Sequence, residues 1–234
     1  ASVQEWGKTL ALPSDLQALI SRYDHGVAYT DRQVGQLMEI LRQLDLFESS
    51  IVLVTSDHGE AFLEHGELLL GHAPFDEMLR VPLLLRLPSR LRPETRSVDA
   101  PVGLIDVLPT LLDLSGLEAE PQSEGRSLGP VMRGGAQPNG LVFAESDSTV
   151  AARSSDHKVI ASTLGDGARF FYQREDPADL EPNKGDFGPP CDRLRAGLAA
   201  YLERMETSRK GLQTELAPFT EEELEALRRL GYLD

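Results

Sequence analysis

Asp57 and His58 set a carboxylate beside an imidazole directly after the apolar run Ile51-Val52-Leu53-Val54-Thr55. Together they offer hard oxygen and borderline nitrogen, a donor pair suited to a divalent ion. Gly59 follows and lets the backbone turn sharply. Asp, His and Gly are also common turn formers, so the tripeptide alone reads more readily as a plain turn. Its neighbours favour chemistry. His65 and His72 lie in glycine-punctuated segments, Glu64-His65-Gly66 and Gly71-His72-Ala73, so three of the chain's 5 histidines fall between His58 and His72. An imidazole can serve as acid, base, ligand or anion donor, and clustering in one loop favours a site over three separate structural histidines. Cys191, between Pro190 and Asp192, has no catalytic partner in sequence reach and reads as an inert buried thiol. His157 reads as structural.

The elements around these residues follow from periodicity. Ser14-Asp15-Leu16-Gln17 has the form of a capping box. Leu16, Leu19, Ile20, Tyr23, Val27, Val34, Leu37, Met38, Leu41 and Leu44 then recur at three- and four-residue steps, predicting a helix to about residue 44. The β-branched run 51–55 fits a buried strand of a parallel sheet, with Asp57 and His58 at its carboxyl end, where open α/β sheets bind ligands. Residues 81–86 predict a second buried strand and 98–102 a third. Leu104 to Leu114 have helical spacing, closed by Gly116 and kinked or restarted at Pro109. After a Gly-, Pro- and Ser-rich connection, short strand-like segments at 141–145, 149–153, 158–161 and 168–172 suggest a small antiparallel sheet. Two helices follow, one presenting Leu194, Leu198, Tyr201, Leu202 and Met205, the other running from Thr220 to Gly231. The fold class expected is α/β, a mostly parallel sheet sandwiched by helices, with a small C-terminal antiparallel α+β subdomain. Its parts are residues 1–117, a connection at 118–140, and 141–234.

Composition sets outer limits. The 234 residues can bury a sizeable core, about 70–75% of the unfolded surface. Acidic residues outnumber basic ones 38 to 23, a formal charge of −15 that opposes binding to nucleic acid or anionic lipid. An anionic substrate would have to be drawn by a metal or by local cations. No apolar run approaches the ~20 residues of a membrane span. One cysteine excludes an internal disulfide and leaves the compartment open.

Three linked segments then resemble, in order and spacing, the sulfatases of the alkaline-phosphatase superfamily. They are Tyr23-Asp24-His25-Gly26-Val27-Ala28-Tyr29-Thr30-Asp31-Arg32-Gln33-Val34-Gly35, Ile51-Val52-Leu53-Val54-Thr55-Ser56-Asp57-His58-Gly59-Glu60 and Asp76-Glu77-Met78-Leu79-Arg80-Val81-Pro82-Leu83. Residues 104–112, 153–160 and 227–232 are similar to later sulfatase segments, so the likeness covers nearly the whole chain. It implies that residues 1–117 are the C-terminal portion of a sulfatase catalytic domain with the N-terminal strands missing. Asp57 and His58 match the strand-end pair that binds one divalent cation, Ca2+ first, with Mn2+ or Zn2+ as alternatives because His58 stands where many sulfatases have Asn. His72 falls where many relatives place a Lys that holds the sulfate and assists the leaving group, which makes it the catalytic and substrate-binding candidate. His65 matches a frequent loop histidine and is a second substrate-binding candidate. Arg80 reads as structural, and His25 as a variation at a position commonly Gly.

Sulfatases make a formylglycine nucleophile from Cys or Ser in a Cys/Ser-x-Pro-x-Arg motif. That motif does not occur here: Arg86-Leu87-Pro88-Ser89-Arg90 has its tail but not its head. The resemblance therefore implies a nucleophile in a missing N-terminal part of the same protein and no turnover by this chain alone. A sheet lacking its leading strands should also expose apolar surface and associate. The implied substrate is a small-molecule or glycan sulfate ester. A phosphonate or phosphate ester hydrolase, a phosphoethanolamine-type transferase, and a non-catalytic binding module stay open as alternatives. Family members are often exported, so a periplasmic or extracellular location is favoured.

Overall fold

The computed structural model describes residues 13–69, 73–118, 123–146, 148–163, 167–172 and 188–211, with single positions between 220 and 228. The chain divides into two compact units, Ala1–Leu198 and Ala199–Asp234. Helix α1 covers Pro13–Gln43, as its apolar spacing predicts. It ends in a turn held by Arg86, whose Nη1 donates to the carbonyls of Phe47 and Ser50. The same guanidinium pairs with Glu48 at 3.1 Å and lies 3.9 Å from the centre of the Phe47 ring.

Next come β1 (Val52–Thr55), β2 (Ala61–Phe62), β3 (Leu68–Leu69), the one-turn helix α2 (Asp76–Leu79) and β4 (Leu83–Arg86). β1 and β4 pair antiparallel, Val52 opposite Arg86 and Thr55 opposite Leu83. Every ladder among the described residues is antiparallel, so the mostly parallel sheet expected from the sequence finds no support in them. Among its described residues, the connection between β1 and β4 holds a short hairpin and one helical turn. A parallel return would need a long crossover, usually a full helix, to carry the chain back to the start of β1. The strand expected at 98–102 is likewise irregular backbone, since Pro101 supplies no ladder donor.

A 3-10 turn, Leu104–Asp106, leads into α3 (Val107–Ser115), which places Pro109 in the first turn, where a missing N–H is tolerated. α3 stops at Gly116 with φ of 70°. The buried Asp106 carboxylate accepts the Gly103 N–H at 3.1 Å and the Arg126 N–H at 2.8 Å, tying residues 123–128 to the start of α3. α4 (Gly129–Met132) follows.

β5 (Val142–Glu145), β6 (Thr149–Arg153), β7 (His157–Ser162) and β8 (Ala168–Tyr172) form the antiparallel meander that the turn spacing predicts. Its two faces are both used. Val150, Ala152 and Val159 pack against Cys191, Leu194 and Leu198 of α5 (Pro189–Gly211). On the opposite face, Ala151 and Ile160 pack against Phe75, just before α2. Cys191 is buried, as expected. The helix predicted from Thr220 lies largely outside the described residues.

Candidate active site

β1 delivers Ser56, Asp57 and His58 at its carboxyl end, and the local backbone organises all three. The His58 N–H donates to Asp57 Oδ1 at 3.0 Å, and Ser56 Oγ–H donates to the His58 carbonyl at 2.8 Å. His58 Nδ1 lies 2.7 Å from the Gly59 carbonyl. A carbonyl only accepts, so Nδ1 carries the proton and Nε2 presents its lone pair. Asp57 is 80% exposed, and its Oδ2 stands 4.0 Å from His58 Nε2. Bonds of about 2.0–2.6 Å from oxygen and nitrogen to one divalent ion can span that separation. Two donors do not complete a shell, and among the described residues no group of three or more His, Cys, Asp or Glu is arranged to hold a metal.

The amide hydrogen bond from His58, reinforced by Asp57's own N–H and, when the His58 ring is protonated, by its charge, holds the Asp57 carboxyl below its ordinary 3.8. Glu60 moves the other way: burial raises its pKa despite the opposing influence of His58.

The turn after His58 is clamped by α2. The Gly59 N–H donates to the Met78 carbonyl at 2.8 Å and the Glu60 N–H to the Glu77 carbonyl at 3.1 Å. A Cβ at Gly59 would lie 1.9 Å from the Glu77 oxygen, so this approach demands glycine.

His65 is placed by the same short helix. Its Nδ1–H donates to Glu77 Oε1 at 2.7 Å, both side chains being 11% exposed, and its ring stacks on Phe75 with centroids 3.6 Å apart. The turn that carries it contains Leu63 at φ 71°, a left-handed conformation costing a non-glycine residue about 1–2 kcal/mol. His72 lies outside the described residues. Arg80 is exposed at the end of α2, and His25 bonds to the Ser21 carbonyl on the surface of α1. Phe75, Asp76 and Glu77 are neighbours of the candidate site that neither residue type nor spacing singles out. Their only signal is membership of the segment preceding Arg80-Val81-Pro82.

Residues 4–117 match the sulfatase family model. This stretch belongs to the sulfatase family. A sulfatase of Formosa agariphila is 27% identical over 168 residues, covering 72% of this chain and 31% of that protein. The structure of a 2-O GAG sulfatase superposes with a TM-score of 0.75 at 23% identity, covering 89% of this chain and 48% of the other. The phosphonate monoester hydrolase of Agrobacterium radiobacter superposes with a TM-score of 0.66 at 24% identity, over 89% and 45%. These superpositions establish a shared fold. The chain thus spans less than half of the length of these sulfatase relatives, 31% of the one and 48% of the other. No helix among the described residues is long and apolar enough to cross a membrane.

Proposed function

We propose that this chain supplies the metal edge and anion loop of a sulfuric ester hydrolase whose nucleophile lies in a further, N-terminal part of the protein. The observation that carries the reading is the strand end itself: an exposed, ionised Asp57 beside a His58 whose Nε2 lone pair is presented by the Nδ1–Gly59 hydrogen bond. A divalent cation, Ca2+ first and Mn2+ or Zn2+ as alternatives, would neutralise charge on the transferring group and activate the nucleophile when bound. Asp57 and His58 would hold it, with the remaining donors coming from the N-terminal part.

His72 would donate to the substrate anion or the leaving oxygen, adding positive charge only when protonated. His65, oriented by Glu77 and Phe75, would be a second substrate-binding residue, able to donate to an anion only when its ring is doubly protonated. A sulfated glycan is the favoured substrate class, in keeping with the GAG sulfatase that shares the fold. A periplasmic or extracellular location accords with such a substrate.

The decisive experiment is intact mass and peptide mapping of the protein isolated from its natural source. A formylglycine in a Cys/Ser-x-Pro-x-Arg peptide continuous with this chain supports the sulfatase reading. An unmodified Ser or Thr nucleophile replaces it with phosphoryl or phosphonyl ester hydrolysis, and a mature protein beginning at Ala1 replaces it with a non-catalytic or two-chain assembly. Mn2+ titration by calorimetry provides a second check. Asp57→Asn should abolish the heat of binding while changing stability by less than about 0.5 kcal/mol, as expected for a surface position.

A further inference from the structure

Arg153 on β6 and Lys158 on β7 are directly opposed in register. They share the sheet face of Ala151 and Ile160, two residues along each strand, and the Lys158 side chain is 0% exposed. Like charges directly opposite each other across strands are destabilising, so this pair needs a counter-ion. Asp76 provides it: Arg153 Nη1 lies 2.8 and 2.7 Å from its two carboxylate oxygens, and Lys158 Nζ lies 2.9 Å from Oδ1.

A buried ion cluster of this kind is weak support for stability in itself, because well-packed apolar residues often do as well. Its position is more informative. Asp76 opens α2, and the next two residues, Glu77 and Met78, give the carbonyls that hold the Glu60 and Gly59 N–H groups. A four-residue helix cannot fix its own place, since one turn closes too few hydrogen bonds to offset its nucleation cost. Its site-facing end is therefore only as well placed as Asp76 and Phe75 are on the sheet.

We infer that Asp76, Arg153 and Lys158 form a brace that positions the Ser56–Gly59 strand end from the β6–β7 face. As residues of the reaction they are positioning groups, and that part of the inference rests on the ester-hydrolase reading above. The mechanical part does not. Hydrogen exchange of the chain, followed amide by amide, tests it in Asp76→Asn and in the milder Arg153→Met, which leaves Asp76 paired with Lys158. In both variants the Gly59 and Glu60 amides should exchange about tenfold faster, while amides of the β6–β7 ladder stay within about threefold of the wild type.

Mn2+ affinity, titrated in parallel, should fall in both variants. If the wild type binds no Mn2+, the metal reading fails while the exchange comparison still decides the brace. Unchanged Gly59 and Glu60 exchange in Arg153→Met overturns the inference. So does equal acceleration of loop and ladder amides, which would mean a merely structural contribution. Should Asp76→Asn fail to fold, the exchange of Arg153→Met decides between the brace and its absence.

Discussion

Gly59 is the residue whose side chain, if it had one, would do most damage to the strand end. Its role is space, because the clamp from α2 brings the Glu77 carbonyl to where a Cβ would sit. Gly59→Ala must push α2 away from β1 or break the two amide bonds that join them. We expect a loss of about 1–3 kcal/mol in urea unfolding, in the usual range for overpacking, together with weaker Mn2+ binding by calorimetry. A fully stable Gly59→Ala with unchanged binding would mean that the clamp is dispensable. Asp57, His58 and Gly59 are legible in the sequence because their chemistry is local: adjacent residues, at the end of an apolar run, in a spacing that a strand end dictates. Glu77 and Phe75 are not, since their partner His65 is reached through folded loops and the pairing leaves no periodic trace.

At the scale of elements, α2 joins the candidate site to the C-terminal sheet, and Asp76 is its anchor. Burial alone would raise the Asp76 pKa, but the attraction and hydrogen bonds of Lys158 and then Arg153 outweigh it and hold the carboxyl below the ordinary 3.8. A group depressed in this way contributes stability that is fully present above the unfolded value and is lost as pH falls through the lower folded value. At pH 7, Asp76→Asn should therefore cost about 3–5 kcal/mol, since it removes the buried carboxylate that Arg153 and Lys158 share. The gap between wild type and variant should hold down to about pH 4 and shrink below it, read from urea unfolding curves at a series of pH values. A gap independent of pH would show that Asp76 contributes through shape and not through charge. Helix α1, β1, β4 and the meander are legible as elements from their periods. The antiparallel partnership of β1 with β4 is not, because a short apolar strand has the same appearance whichever way its neighbour runs, and only the folded path of the connection decides it.

For the molecule as a whole, the apolar face read from the spacing of α1 is not covered along its length. Tyr23, Val27, Leu37 and Leu44 belong to that face and are exposed, as is Leu84 on β4. Only one aromatic contact among the described residues reaches this helix from the β2–β3 hairpin, Tyr23 against Phe62 at 5.3 Å. Burying an exposed Leu or Val side chain is worth roughly 1.5–3 kcal/mol, so several on one helix favour association strongly enough to offset part of the repulsion from a net charge of −15. The charge also provides a handle: raising salt to about 0.5 M screens repulsion between chains while leaving the apolar attraction intact. Light scattering of the isolated chain should therefore show self-association that increases with salt. Val27→Glu combined with Leu37→Glu should return it to a monomer without loss of helix by circular dichroism, because both positions already face water. Supplying the N-terminal part of a longer form by co-expression should have the same effect if that part covers α1, in line with the 31% and 48% of two sulfatase relatives that this chain spans. A chain that stays monomeric at high concentration and high salt would argue instead that this helix face is stable in water, and the case for a missing covering segment would fall with it.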